Sequence, residues 1–196
     1  MDTLFNSTEC NPRGIPGAPF VNQVEDFIKD PQDFELCFNK FQERLSKYKF
    51  MQESKLTTVK QLKIRIPDLE NTLKICNNLK RQSENNDDDG DDEPLQVNYQ
   101  LNDTLYTKAE ISKIQDTVCL WLGADVMLEY PIDEAIELLN KKLNDAKRNL
   151  DTCTEDVEFL RENITTMEVN CARLYNWDVE RRQNEKETEA IKDLKL

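Results

Sequence analysis

Along most of this chain, apolar residues recur at alternating steps of three and four. Phe38, Phe41, Leu45 and Tyr48 open the pattern, which passes through Gln52 and Lys55 and resumes in phase at Val59, Leu62, Ile66, Leu69, Leu73 and Cys76. A mean step of about 3.5 residues turns one stripe of an α-helix toward a partner helix, so this spacing marks a coiled-coil seam. A second run comprises Ile132, Ile136, Leu139, Leu143, Ala146, Leu150, Cys153, Val157, Leu160, Ile164, Met167, Cys171 and Leu174, and it never leaves those steps. Asp133 and Glu134 fall in its first turn, where a carboxylate suits the helix dipole. Pro67 lies on the solvent side of the first run. The phase is the same on both sides of it, which predicts a bend in one helix rather than two helices.

Between the two runs the period changes to two. Leu95, Val97, Tyr99 and Leu101 alternate with polar residues, Asn102-Asp103 offers a turn, and TLYTKAEI (104–111) follows. Next come TVCLWL (117–122), a Gly123-Ala124-Asp125 turn and VMLEY (126–130). This predicts two hairpins of four short strands. In the third strand Val118, Leu120 and Leu122 face one way, and Cys119 and Trp121 the other. A strand apolar on both faces needs cover that so small a block cannot provide, so another subunit is the expected cover. The interface residues this predicts are Leu95, Val97, Tyr99, Val118, Leu120, Trp121, Leu122, Val126 and Leu128.

The expected fold class is α+β, mainly α: a long antiparallel two-helix coiled coil joined by two β-hairpins. Residues 1–19, with Pro12, Gly14, Pro16, Gly17 and Pro19, read as a flexible arm. Helix 1 is expected over 20–82, because Val21, Val24, Phe27 and Ile28 share a helical face before Pro31 interrupts. Residues 83–94 form an acidic disordered loop, 95–130 the hairpin body, 131–185 helix 2, and 186–196 a charged tail. At ~1.5 Å per residue each helix is on the order of 80–90 Å long. The lengths match and the linker leaves and returns at one end, which is why the pair is expected to be antiparallel.

Charge and composition then narrow the function. The net charge is −13, from 39 acids against 26 bases, a surface that repels nucleic acid and anionic membranes. Histidine is absent, which removes the commonest general base and the commonest metal ligand. With four glycines, no GxxxxGK[ST] run and no nucleophile–base pair, no catalytic residue, cofactor site or metal site is expected. Centring ENNDDDGDDE (84–93) on Gly90 as a calcium loop puts Gln96 where the bidentate Glu belongs, so calcium is not expected either. Six widely spaced cysteines without a CxxC pair read as reduced thiols of a cytosolic or nuclear protein. Neither a signal peptide nor a membrane span is predicted.

A plain rod or tether would also show long heptads. Two features argue against it: the β block interrupts the coil, and aromatic residues persist at the far ends, where a rod would fray into charge. Phe20, Val24, Phe27, Tyr175 and Trp177 are therefore candidates for contact with another protein's apolar surface. The other reading of these five is that some only hold the tip's own helices together.

GIPGAPFVNQVEDFI (14–28), KYKFMQESK (47–55), IPDLENTL (66–73), DTVCLWLGADVMLEYPIDEA (116–135) and EDVEFLRENITTMEVNCARLYNWDVERR (155–182) closely resemble α-type prefoldin subunits. The resemblance covers most of 14–182; the acidic insertion, the N-terminal arm and the charged tail depart from it. It implies one chain of a heterohexamer of two α-type and four β-type prefoldin subunits, with the hairpins forming a shared body. It further implies ATP-independent capture of non-native actin and tubulin between coil tips and their transfer to the cytosolic chaperonin. The alternative is a structural or adaptor coiled-coil subunit of a cytoskeletal or nuclear complex that binds no unfolded client.

Overall fold

The computed structural model describes residues 10–25, 28, 33–85, 94–111 and 116–193. The element order is α1 (Phe34–Asn85), β1 (Leu95–Asn102), β2 (Leu105–Ile111), β3 (Thr117–Gly123), β4 (Val126–Pro131) and α2 (Ile132–Asp193). The predicted class holds: two long helices and two small antiparallel hairpins. Every position assigned to either heptad seam is buried or half-buried, Gln52 and Lys55 included. α1 continues unbroken through the exposed Pro67, as one helix.

The chain divides into two compact units, Met1–Lys60 with Leu150–Leu196, and Gln61–Asn149. In the first, Lys49 pairs with Glu168 and Lys55 with Asp156, so α2 numbering falls as α1 numbering rises and the helices are antiparallel. In the second, Glu70 pairs with Lys147 and Lys80 with Asp133, again antiparallel. The exposed pairs among these set direction more than stability, at about 0–1 kcal/mol each, whereas the Lys55 partner Asp156 is buried. The core of the first unit contains Phe41, Tyr48, Leu160, Ile164, Met167 and Leu174.

In the second unit β1 pairs with β2 and β3 with β4, both antiparallel, and the two hairpins remain separate sheets. The β3–β4 register sets Leu120 opposite Leu128 and Trp121 opposite Met127. Ala124 and Asp125 close this hairpin with φ of 50° and 57°, the left-handed pair that a two-residue type I′ turn requires. Asn102 Oδ1 accepts from the Thr104 N–H in the other turn. The Ile132 N–H donates to the Asp116 carbonyl, tying the start of α2 to the foot of β3.

Several expected boundaries are corrected. No helix begins at Phe20: residues 20–25 are non-helical and α1 starts at Phe34. Nor is the arm before it free from residue 10 onward, because residues 10–25 lie against the helices. The spacing of Val21, Val24 and Ile28 resembles a helical face, and a single Ile28 N–H to Val24 carbonyl bond forms there. The main-chain groups just upstream bond instead to side chains of α1 and α2, which takes them out of any helical ladder. At the other end α2 continues past residue 185 to Asp193, with Arg181–Glu185 and Arg182–Asp178 ion pairs one turn apart. Of the expected acidic loop, residues 83–85 belong to α1 and 86–93 lie outside the described residues.

Candidate functional site

Two surfaces follow from these elements, one in each unit. In the second unit, alternation sorts the hairpin residues by face. Leu95 opposite Ile111, Val97 opposite Ala109 and Tyr99 opposite Thr107 make an apolar face on β1–β2. The opposite face carries Gln96, whose amide donates to Glu110. On β3–β4, Val118, Leu120, Leu128 and Tyr130 share one face, and Cys119, Trp121 and Met127 share the other. Of the predicted interface residues, Leu95, Val97, Val118 and Leu120 are half-buried, while Tyr99, Trp121, Leu122, Val126 and Leu128 are exposed, Trp121 by 58%. Leu101, Leu105, Tyr106, Ile111 and Met127 are also exposed and extend the predicted set. Their signal is present in the sequence, since each lies in a stretch that reads as strand or turn. So much apolar surface on two short, open-edged hairpins marks a surface for association.

The first unit holds the aromatic end. Phe20 is 49% exposed, with the Arg173 guanidinium 4.9 Å from its ring centre, a cation–π contact. Tyr175 is 59% exposed. Trp177 is half-buried: its ring stacks at 6.4 Å on Phe34, and its Nε1–H donates to Glu25 at 2.8 Å. An open depression beside it is lined by Glu25, Glu180, Arg181 and Asn184, among others. Val24 is a correction, because it is buried in the core cluster and presents no surface to a partner. Phe27 lies outside the described residues. Among the described candidates, the apolar surface left exposed is thus that of Phe20, Tyr175 and part of Trp177.

The feature that sequence reading missed is what holds residues 10–25 in place. Asp156, Asn163 and Asn170, spaced by seven and each one residue before a seam position, are buried on α2. Asn170 accepts from the Val21 N–H at 2.9 Å and donates to the Pro19 carbonyl at 2.7 Å. Asn163 accepts from the Ala18 N–H and donates to the Phe159 carbonyl of its own helix, which orients it. Asp156 accepts from Asn11 at 2.8 Å and from Arg13, and Lys55 Nζ lies 2.9 Å from its second oxygen. A heptad of buried polar residues beside an apolar seam was the available signal.

Burial alone would raise the Asp156 pKa, but Lys55 and Arg13 outweigh it and hold the carboxyl below its usual value. A depressed folded pKa gives stability that is present above the unfolded value of about 3.9 and is lost as pH falls through the folded value. Hydrogen exchange at Ala18 and Val21, corrected for intrinsic rates, will therefore quicken as pH drops below about 4. Asp156→Asn will flatten that response. An unchanged acid response in the variant would assign the effect to other carboxylates.

Among the described residues, no cluster of His, Cys, Asp or Glu could hold a metal ion, and no helix is long and apolar enough to cross a membrane. None of the six cysteines is in a disulfide, and Cys37, Cys76 and Cys153 are buried.

The Prefoldin family model, described as "Prefoldin subunit", matches residues 48–177. The chain belongs to the prefoldin subunit family. It is 70% identical to Prefoldin subunit 3 of Saccharomyces cerevisiae over the full length of both chains. It is 43% identical to Prefoldin subunit 3 of Homo sapiens, over 89% of this chain and 86% of that one. A chain of the filamentous PFD from Methanocaldococcus jannaschii, solved by cryo-EM, is a more distant likeness. It has a TM-score of 0.47 and 15% identity, covering 65% of this chain and 98% of that chain. As a prefoldin subunit the chain is one member of a chaperone complex, and the two hairpins are those of the α-type prefoldin fold expected above.

Proposed function

We propose that this prefoldin subunit is one arm of an ATP-independent holding chaperone. Its hairpins join those of other subunits in a heterohexamer of two α-type and four β-type chains. Its aromatic end helps to hold non-native polypeptides, actin and tubulin among them, for the cytosolic chaperonin. The proposed location is the cytoplasm, with the nucleus as a second site. The observation that carries this reading is the pairing of exposed aromatic residues at one end of the antiparallel helices with exposed apolar strands in the other unit. One surface suits clients and the other suits partners.

The capture is physical, with no bond made or broken. A non-native chain exposes apolar segments, and Phe20 and Tyr175 can cover part of one. Several such arms on one body raise the effective concentration, so weak contacts combine into useful avidity. The net charge of −13 keeps a loaded complex soluble and favours basic clients over acidic ones.

Phe20→Ser combined with Tyr175→Ser will leave the assembly intact by native mass spectrometry and weaken its suppression of client aggregation several-fold, without nucleotide. Both side chains are more than 40% exposed, so folding should be little affected. Unchanged suppression by an intact assembly would remove these residues from client contact and favour an adaptor role.

A further inference from the structure

Over residues 16–22 the helices bond to main chain, while the side chains of Asn11 and Arg13 bond to Asp156. Seven main-chain groups of this segment bond to helix side chains. The carbonyls of Pro16 and Gly17 accept from Tyr48 and Arg44 of α1. The Ala18 N–H, the Pro19 carbonyl and the Val21 N–H meet Asn163 and Asn170 of α2. The carbonyls of Val21 and Asn22 accept from Arg173. One carboxamide, that of Asn170, therefore engages the C=O of one residue and the N–H two residues on, the pair that an extended strand offers to its neighbour in a sheet. Any extended polypeptide carries the same groups at the same spacing.

The rest of the groove asks for side-chain character at two places. Beneath the polar row lies an apolar floor that buries Val21 completely and packs Ile15 and Ala18. At its N-terminal end the buried Asp156, with Glu155 beside it, receives Arg13. The site thus suits an extended apolar segment, running parallel to α2, with a basic residue at its start. Residues 16–21 are that segment in this chain, entered through a turn in which the Asn11 N–H donates to the Ile15 carbonyl and the Gly14 N–H to the Asn11 carbonyl.

We propose that this groove is a binding site for extended segments of non-native polypeptides. The subunit's own residues 10–25 occupy it as an internal ligand that a client displaces. The inference rests on the chaperone reading above and places a second client surface alongside Phe20 and Tyr175. An internal ligand would also keep the apolar floor covered in the empty complex, where an open groove would invite self-association.

The test uses the assembled complex carrying this subunit in three forms: unaltered, Val21→Asp, and lacking residues 1–22. Val21→Asp places a carboxylate where no solvent reaches, so it ejects the segment while leaving the groove intact, should the deletion fail to assemble. The probe is a fluorescein-labelled peptide of residues 11–23, NPRGIPGAPFVNQ, followed by anisotropy. The expected result is at least tenfold tighter binding to both altered forms than to the unaltered one. Binding should be lost when Asn170→Leu is added, and reduced, carboxamidomethylated lysozyme, which is unfolded and basic, should displace the peptide. Equal peptide binding by all three forms would overturn the proposal, because the segment would then be a fixed clasp. Peptide binding that unfolded lysozyme cannot displace would overturn it as well. Aggregation suppression measured on the same complexes separates the two readings. Suppression without displacement sinks only the groove, whereas no suppression by any form sinks the chaperone reading too.

Discussion

A subunit carrying Leu120→Asp and Leu128→Asp together will stay helical and fail to enter an assembly. These leucines lie opposite each other across β3 and β4, and neither is buried within the chain. Leu128 is exposed and Leu120 only half-buried, and both lie outside the helices, so circular dichroism of the isolated chain should change little. In a complex they would lose ~1.5–3 kcal/mol each of apolar burial, and two carboxylates would enter an apolar contact. A loss of about 3 kcal/mol or more is at least a hundredfold in the association constant. Native mass spectrometry of the co-expressed subunits will then show complexes lacking this chain. Full incorporation of the variant would mean that this face of β3–β4 is not a subunit contact.

Phe41→Ala will destabilise the first unit by about 3–5 kcal/mol, whereas Phe50→Ala will stay within about 0.5 kcal/mol of the parent. The two residues occupy one helix and carry the same side chain. Phe41 is 1% exposed within the core cluster, and Phe50 is 78% exposed. Truncation at Phe41 removes a ring from close packing and leaves a cavity that the helices cannot wholly collapse. For a chain of this size the loss corresponds to a fall in melting temperature on the order of 10 °C. Thermal unfolding followed at 222 nm, at fixed concentration of the complex, reads both variants. Equal melting of the two would show that the seam near Phe41 contributes nothing to the transition observed.

The contrast between Phe41 and Phe50 is legible in the amino-acid sequence, because the heptad steps include one and skip the other. The same holds for the hairpins, where a period of two places Leu120 and Leu128 on one face. Helical ends are less legible. Val21, Val24 and Ile28 carry helical spacing, yet residues 20–25 are non-helical, since spacing registers which side chains are buried and not what the main chain bonds to. The client candidates show the same limit. Val24 and Phe20 look alike in sequence as apolar residues near one end, but only the packing distinguishes the buried valine from the exposed phenylalanine.

Matching helix lengths pointed to the antiparallel pairing, and the sequence by itself determined the two helices and the two hairpins. Each of these is written in a local repeat: steps of three and four along a helix, and alternation along a strand. Residues near in sequence are near in space within those elements, so the pattern of burial can be read from the chain. Only the tertiary structure decided the course of residues 10–25. Their hydrogen bonds to Asp156, Asn163 and Asn170 join positions some 145–151 residues apart, and no periodicity links them. Residues 10–16 close a turn of their own through the Cys10–Pro16 bridge, but the course of the segment beyond it follows the surface it lies on, and that surface exists only once α1 and α2 have packed.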